Sequence, residues 1–195
     1  MVSLATLSDS LRFVVTATRH PLKMGAVLPS SHDLVTAMAA QVDPNEPGPV
    51  IELGSGTGAI TEALIKSGID QTRLILIESH HSFYDDLHKR LPEAWCFCND
   101  AYDIETLAKK HSFPRAAAIV SGLPLRTQSL ERKRAFLESA LRLLRPGAPF
   151  IQFSYGISPP VEEREIDATL MAAENIWKNI PPARIWIYRA TGHSG

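Results

Sequence analysis

The chain has 195 residues, enough for one domain with a full core and short of what two would need. Hydrophobic residues at 45% and charged residues at 21% exclude a disordered chain, and a net charge of -1 excludes the overall basic field that draws proteins onto nucleic acid. No run approaches the ~20 apolar residues of a membrane span, and the first residues lack the basic start and cleavage site of a secretory leader, so a cytoplasmic protein is expected.

In chain order, Leu4, Leu7, Leu11, Val14, Val15 and Thr18 recur at helical spacing opposite Ser8, Asp9, Arg12, Thr16 and Arg19. That pattern predicts an amphipathic helix over residues 1–20, ended by Pro21. A loop, LKMGAVLP (Leu22 to Pro29), leads to Ser30-Ser31, which cap a second helix running to about Ala40. After a turn-rich linker at Asp43 to Pro49, apolar strands read at Val50–Leu53, Leu74–Ile77, Trp95–Cys98, Ala117–Val120 and Phe150–Phe153. Helices read between them at Ala59–Lys66, Ser82–Leu91, Ile104–His111 and Ser129–Leu144, and this alternation predicts a doubly wound α/β sheet. In the tail, Ile176-Trp177 and Arg184–Tyr188 flank the turn NIPPA as an antiparallel hairpin, with Val161 to Ala173 as a possible helix. The two cysteines, Cys96 and Cys98, have neither the spacing of a redox pair nor enough neighbours for a zinc site, so they read as small buried hydrophobes and no metal is expected.

Val50 to Gly58 reads V-I-E-L-G-S-G-T-G, a strand entering a glycine loop and then a helix. Glycines there let the backbone turn sharply and approach a ligand closely. Gly54, Gly56 and Ala59 also satisfy the dinucleotide spacing G-x-G-x-x-A, so chemistry must separate two ligands. Glu52 would crowd a pyrophosphate but would favour a ligand carrying an ammonium and a sulfonium, which is the methionine part of S-adenosylmethionine. Glu78, at the end of the second strand, suits two ribose hydroxyls, and Asp100-Ala101, after the third, suit an adenine edge. Three acids at three successive strand ends point to an S-adenosylmethionine-dependent methyltransferase.

The fourth strand ends Ser121-Gly122-Leu123-Pro124-Leu125. Enzymes that methylate the exocyclic nitrogen of adenine place Asn or Asp and an aromatic ring around this proline, to accept from the amine and stack on a flipped base. Here those positions hold Gly122 and Leu125, so a nucleic-acid substrate is not expected.

HPLKMGAVLPSS (His20 to Ser31), VIELGSGTGAITEALI (Val50 to Ile65), SGLPL (Ser121 to Leu125), RPGAPFIQFSYG (Arg145 to Gly156) and NIPPARIWIYR (Asn179 to Arg189) together resemble the bacterial phospholipid N-methyltransferases. These enzymes convert phosphatidylethanolamine stepwise to phosphatidylcholine, and the same resemblance extends to enzymes that methylate ornithine lipids. It implies a class I, Rossmann-like fold with a seven-stranded, mostly parallel sheet, helices on both faces and a closing antiparallel hairpin. It implies S-adenosylmethionine as cofactor, leaving as S-adenosylhomocysteine. The residues expected to hold it are Met24, Gly25, Ser30, Glu52, Gly54, Gly56, Glu78, Ser79, Asp100, Ala101 and Ser121. Ser55, where the family often has proline, and His80-His81 after Glu78 are small departures.

A primary amine with a pKa of ~10 is almost fully protonated at neutral pH and then has no lone pair to attack with. A base is therefore needed, and Tyr155 and then His20 are the candidates. A lipid substrate also requires contact with a membrane surface. The amphipathic N-terminal helix, with Arg12, Arg19 and Lys23 against Asp9 alone, suits the inner face of the cell membrane and its anionic lipids. Arg126, first of a basic cluster with Arg132, Lys133 and Arg134, is placed to meet a lipid phosphate.

Overall fold

The computed structural model describes residues 32–155, 158–176 and 183–191. The predicted N-terminal helix with Arg12, Arg19 and His20, the loop residues Lys23, Met24 and Gly25 that follow it, and the cap residue Ser30 all lie outside the described residues.

β1 (Val50–Leu53) and β2 (Leu74–Glu78) are buried along their whole length. A strand covered on both faces is apolar nearly throughout, and the two exceptions here are the acids Glu52 and Glu78. β3 (Trp95–Cys98), β4 (Ala118–Ser121) and β5 (Phe150–Tyr155) continue the set, and the pairings β3-β2, β2-β1, β1-β4 and β4-β5 are all parallel. β7 (Ala183–Ala190) runs antiparallel to β5, and β6 (Ala168–Ile176) antiparallel to β7, giving seven strands in the order β3-β2-β1-β4-β5-β7-β6.

The helices divide between the two faces. α1 (His32–Ala39), α2 (Ala59–Lys66) and α3 (His81–Arg90) bury Leu34, Met38, Leu64 and Leu87 against Val50, Leu76, Val120 and Ile151. α4 (Ile104–His111) and α5 (Leu130–Leu143) bury Ile104, Leu107, Phe136 and Leu137 against Ile51, Ile75, Ile119 and Phe150. Alternate residues of each strand thus feed alternate layers. Ser129 caps α5 by accepting from the Arg132 amide at 3.3 Å.

The hairpin expected in the tail is present, with longer strands than the sequence suggested. Val161 to Ala173 is not a helix: it contains one short 3-10 turn, Glu163–Glu165, and then enters β6. A tertiary contact decides this. The buried Tyr188 hydroxyl donates to the Val161 carbonyl at 2.9 Å and accepts from the Val161 amide at 3.2 Å, pinning the segment to β7 in an extended form. Among the described residues, no helix is long and apolar enough to cross a membrane.

Candidate cofactor and acceptor site

The strand order reverses between β1 and β4, since β1 pairs with β2 on one side and β4 on the other. A crevice outside the carboxyl ends of strands opens at such a switch point. The glycine loop, Glu78, Asp100 and the Ser121–Leu125 turn all emerge at that end.

In the loop, Gly54, Gly56 and Gly58 have φ of 75°, 52° and 85°, a region that residues with a Cβ rarely adopt. The Gly54 amide donates to the Ile77 carbonyl at 2.9 Å, which ties the loop to the end of β2. A Cβ on Gly56 would meet nothing within 4 Å, so the loop presents bare backbone with open space before it at that point.

Glu52 is fully buried on the α1–α3 face of β1. The Thr61 hydroxyl donates to its Oε2 at 2.7 Å, while Oε1 has no hydrogen-bond partner, and the buried Ser55 hydroxyl in the glycine loop has none either. Burial raises the Glu52 carboxyl to about 8, with the charge of Glu78 adding to the effect. A buried acid with one unsatisfied oxygen suits a cationic ligand group, because a positive charge nearby would restore the carboxylate.

Glu78 is nearly buried at the end of β2. Its Oε2 accepts from the Gly56 amide at 2.8 Å and its Oε1 from the His80 amide at 2.7 Å. Each carboxylate oxygen has a second lone pair, so Glu78 can brace the loop and still accept from two hydroxyls. Ser79 next to it is exposed. After β3, the exposed Asp100 accepts from the Tyr102 amide at 3.0 Å through Oδ1, and Ala101 is buried. Arg132 lies 4.0 Å from Asp100 Oδ2 and 4.5 Å above the Tyr102 ring. This basic residue thus sits beside Asp100 and Tyr102 after β3, a placement that only its partners reveal.

On the acceptor side, Ser121 is buried and its hydroxyl accepts from the Leu123 amide at 3.4 Å. The Gly122 amide donates to the Leu53 carbonyl at 2.9 Å, and a Cβ on Gly122 would fall 3.0 Å from the Gly54 carbonyl oxygen. The turn after β4 is therefore pressed onto the glycine loop, and an asparagine at 122 would push the two apart. The buried Gln152 supports the turn from β5, donating to the Leu123 carbonyl at 3.0 Å. Sequence reading passed over Gln152, because a lone glutamine in an apolar strand carries no motif.

Tyr155 ends β5, half-buried, with its ring edge-on to Phe153 at 5.5 Å and packed on the α1–α3 face. Arg126 is exposed beyond the turn, and its Nη1 donates to the Ser158 carbonyl at 3.1 Å. Cys96 and Cys98 are free and half-buried, and the Cys98 sulfur lies 3.3 Å from His81 Nδ1.

No family model matches the chain. It is 24% identical over 193 residues, spanning 96% of this chain and all of the relative, to an ornithine lipid N-methyltransferase of Singulisphaera acidiphila. Among solved structures, it is similar to the N-methyltransferase NodS of Bradyrhizobium japonicum WM9, with a TM-score of 0.60 at 14% identity over 83% of this chain and 94% of that one. It is similar also to a precorrin-6y C5,15-methyltransferase of Geobacter metallireducens GS-15, with a TM-score of 0.60 at 11% identity over 82% and 88%. A third, an rRNA methylase of Streptococcus thermophilus, gives 0.55 at 15% identity over 83% and 95%. At these identities the structures speak for the fold, and the substrates in their names differ widely. The chain thus has the Rossmann-like α/β fold that these methyltransferases share.

Proposed function

We propose that the protein methylates the headgroup amine of a membrane lipid, with ornithine lipid as the first candidate and phosphatidylethanolamine as the second. The observation that carries this reading is the match to an ornithine lipid N-methyltransferase over 96% of this chain and all of the relative. The acceptor turn supports it. Gly122 and Leu125 offer neither an amide acceptor nor a ring for a flipped base, and the close approach of Gly122 to Gly54 leaves no room for one.

S-adenosylmethionine supplies a methyl group already activated on a sulfonium, so the chain's task is to position an amine and remove its proton. In this reading Glu52 and the glycine loop hold the methionine end, Glu78 and Ser79 the ribose, and Asp100 and Ala101 the adenine. Met24, Gly25, Ser30 and Ser121 complete the cofactor set. Tyr155 is the first candidate to accept a hydrogen bond from the amine, and His20 the second. Both lipids present a primary amine, and the chemistry at the nitrogen is the same.

The protein would meet its substrate from the cytoplasmic side, as a peripheral protein on anionic lipid. Arg12, Arg19 and Lys23 would contribute from the N-terminal segment. Arg126, exposed beyond the turn after β4, would add a second basic contact to the headgroups.

The test is incubation with methyl-labelled S-adenosylmethionine and vesicles containing one candidate lipid at a time, followed by extraction and counting. Label in the ornithine lipid sample supports the first reading, and label only in phosphatidylethanolamine moves the assignment to the second. Label in neither, with the cofactor bound normally, would sink the lipid reading.

A further inference from the structure

A loop with three left-handed glycines has many conformations to lose, so something outside it must hold it in shape. Gly54 is tied to the Ile77 carbonyl and Gly56 to Glu78. The outer side, at Thr57, is held by Arg90, the last residue of α3. Its Nη2 donates to the Thr57 carbonyl at 2.7 Å, Nη1 to Glu62 at 2.9 Å, and Nε to Asp86 at 2.8 Å. The guanidinium fork is thus spread across the loop, the first turn of α2 and its own helix, an arrangement that a lysine cannot reproduce.

The contact is close as well as polar. A Cβ on Gly58 would fall 2.9 Å from Arg90 Nη2 and 2.8 Å from Leu87 Cδ2, so α3 lies directly against the loop. The Gly58 amide turns inward to the Ser55 carbonyl at 2.8 Å, so the peptide between Thr57 and Gly58 has one orientation, with its oxygen toward Arg90.

We infer that Arg90 is a positioning residue for cofactor binding, acting through the Thr57 carbonyl, with its pairs to Glu62 and Asp86 each dispensable to that contact. This rests on the reading that the glycine loop receives S-adenosylmethionine. Its ion pairs are half-exposed and contribute little to the fold, so the effect falls on the loop.

The experiment is calorimetric titration of the full chain with S-adenosylmethionine and, separately, S-adenosylhomocysteine. The variants are Arg90→Gln, Arg90→Lys, Glu62→Gln and Asp86→Asn, each with its melting temperature. Arg90→Gln should weaken both ligands by about tenfold, the loss of one charge-assisted hydrogen bond. Arg90→Lys should recover part of that, and the two carboxylate variants should stay within about twofold of wild type. Unchanged affinity in a folded Arg90→Gln would overturn the inference. So would an equal loss in Glu62→Gln and Asp86→Asn, which would make the effect one of helix packing. If Arg90→Gln does not fold, Arg90→Lys decides, since it keeps the charge but loses the fork. A wild-type protein that binds neither ligand overturns the cofactor reading itself, a result distinct from any difference among variants.

Discussion

Glu52 gives the account a consequence that can be measured without any substrate. Its carboxyl is raised from 4.5 to about 8 by burial. Between those two pH values the unfolded chain has lost a proton that the folded chain keeps. A group shifted in this direction contributes stability that is complete below the lower value and disappears as pH rises through the upper one. The free protein should therefore lose up to ~1.4 kcal/mol of unfolding free energy for each pH unit over that range from this residue alone. Glu52→Gln keeps the shape and still accepts from Thr61, but it cannot ionise. Urea unfolding followed by tryptophan fluorescence from pH 5 to pH 8.5 should give a wild-type profile that falls more steeply than that of the variant. At the alkaline end the variant should be the more stable. Parallel profiles would refute a neutral buried Glu52. The same reasoning predicts that cofactor binding at neutral pH releases a proton in the wild type and not in Glu52→Gln, measurable by calorimetry in buffers of differing ionisation enthalpy.

Glu78→Ala should weaken S-adenosylmethionine by about 10- to 100-fold, because it removes the proposed ribose acceptor and frees the Gly56 amide; unchanged affinity would refute that role for Glu78. Gly122→Asn puts a Cβ 3.0 Å from the Gly54 carbonyl and should cost about 1–3 kcal/mol of stability, read by urea unfolding, and also weaken the cofactor. It should not create activity on adenine, and a variant with wild-type stability and affinity would show that the two loops are not pressed together.

The interior of the sheet was legible because burial on both faces makes strands such as Val50–Leu53 and Leu74–Glu78 apolar at every position but Glu52 and Glu78. The strand-end acids and the glycine loop were legible for a related reason: the ligand chemistry they imply is local to each strand end. β6 was not. It is an edge strand, reads ATLMAAENI, and carries a bulge between Ala172 and Glu174, so its alanines and leucine fit a helix equally well. The antiparallel ladder to β7, with the Tyr188–Val161 pairing before it, removes that option. Arg90 was invisible for the same reason, since the loop carbonyl it holds is 33 positions away. Arg132 was read with its basic neighbours, whereas the fold turns it toward Tyr102 and Asp100.

The most direct test places the candidate acceptors in competition. Purified protein and methyl-labelled S-adenosylmethionine would be mixed with vesicles holding ornithine lipid and phosphatidylethanolamine in equal amounts, together with free ornithine and an RNA. The account predicts label in the lipid extract, mostly in methylated ornithine lipid, and none in the aqueous phase. Label in free ornithine or in RNA, with the lipids untouched, would contradict it.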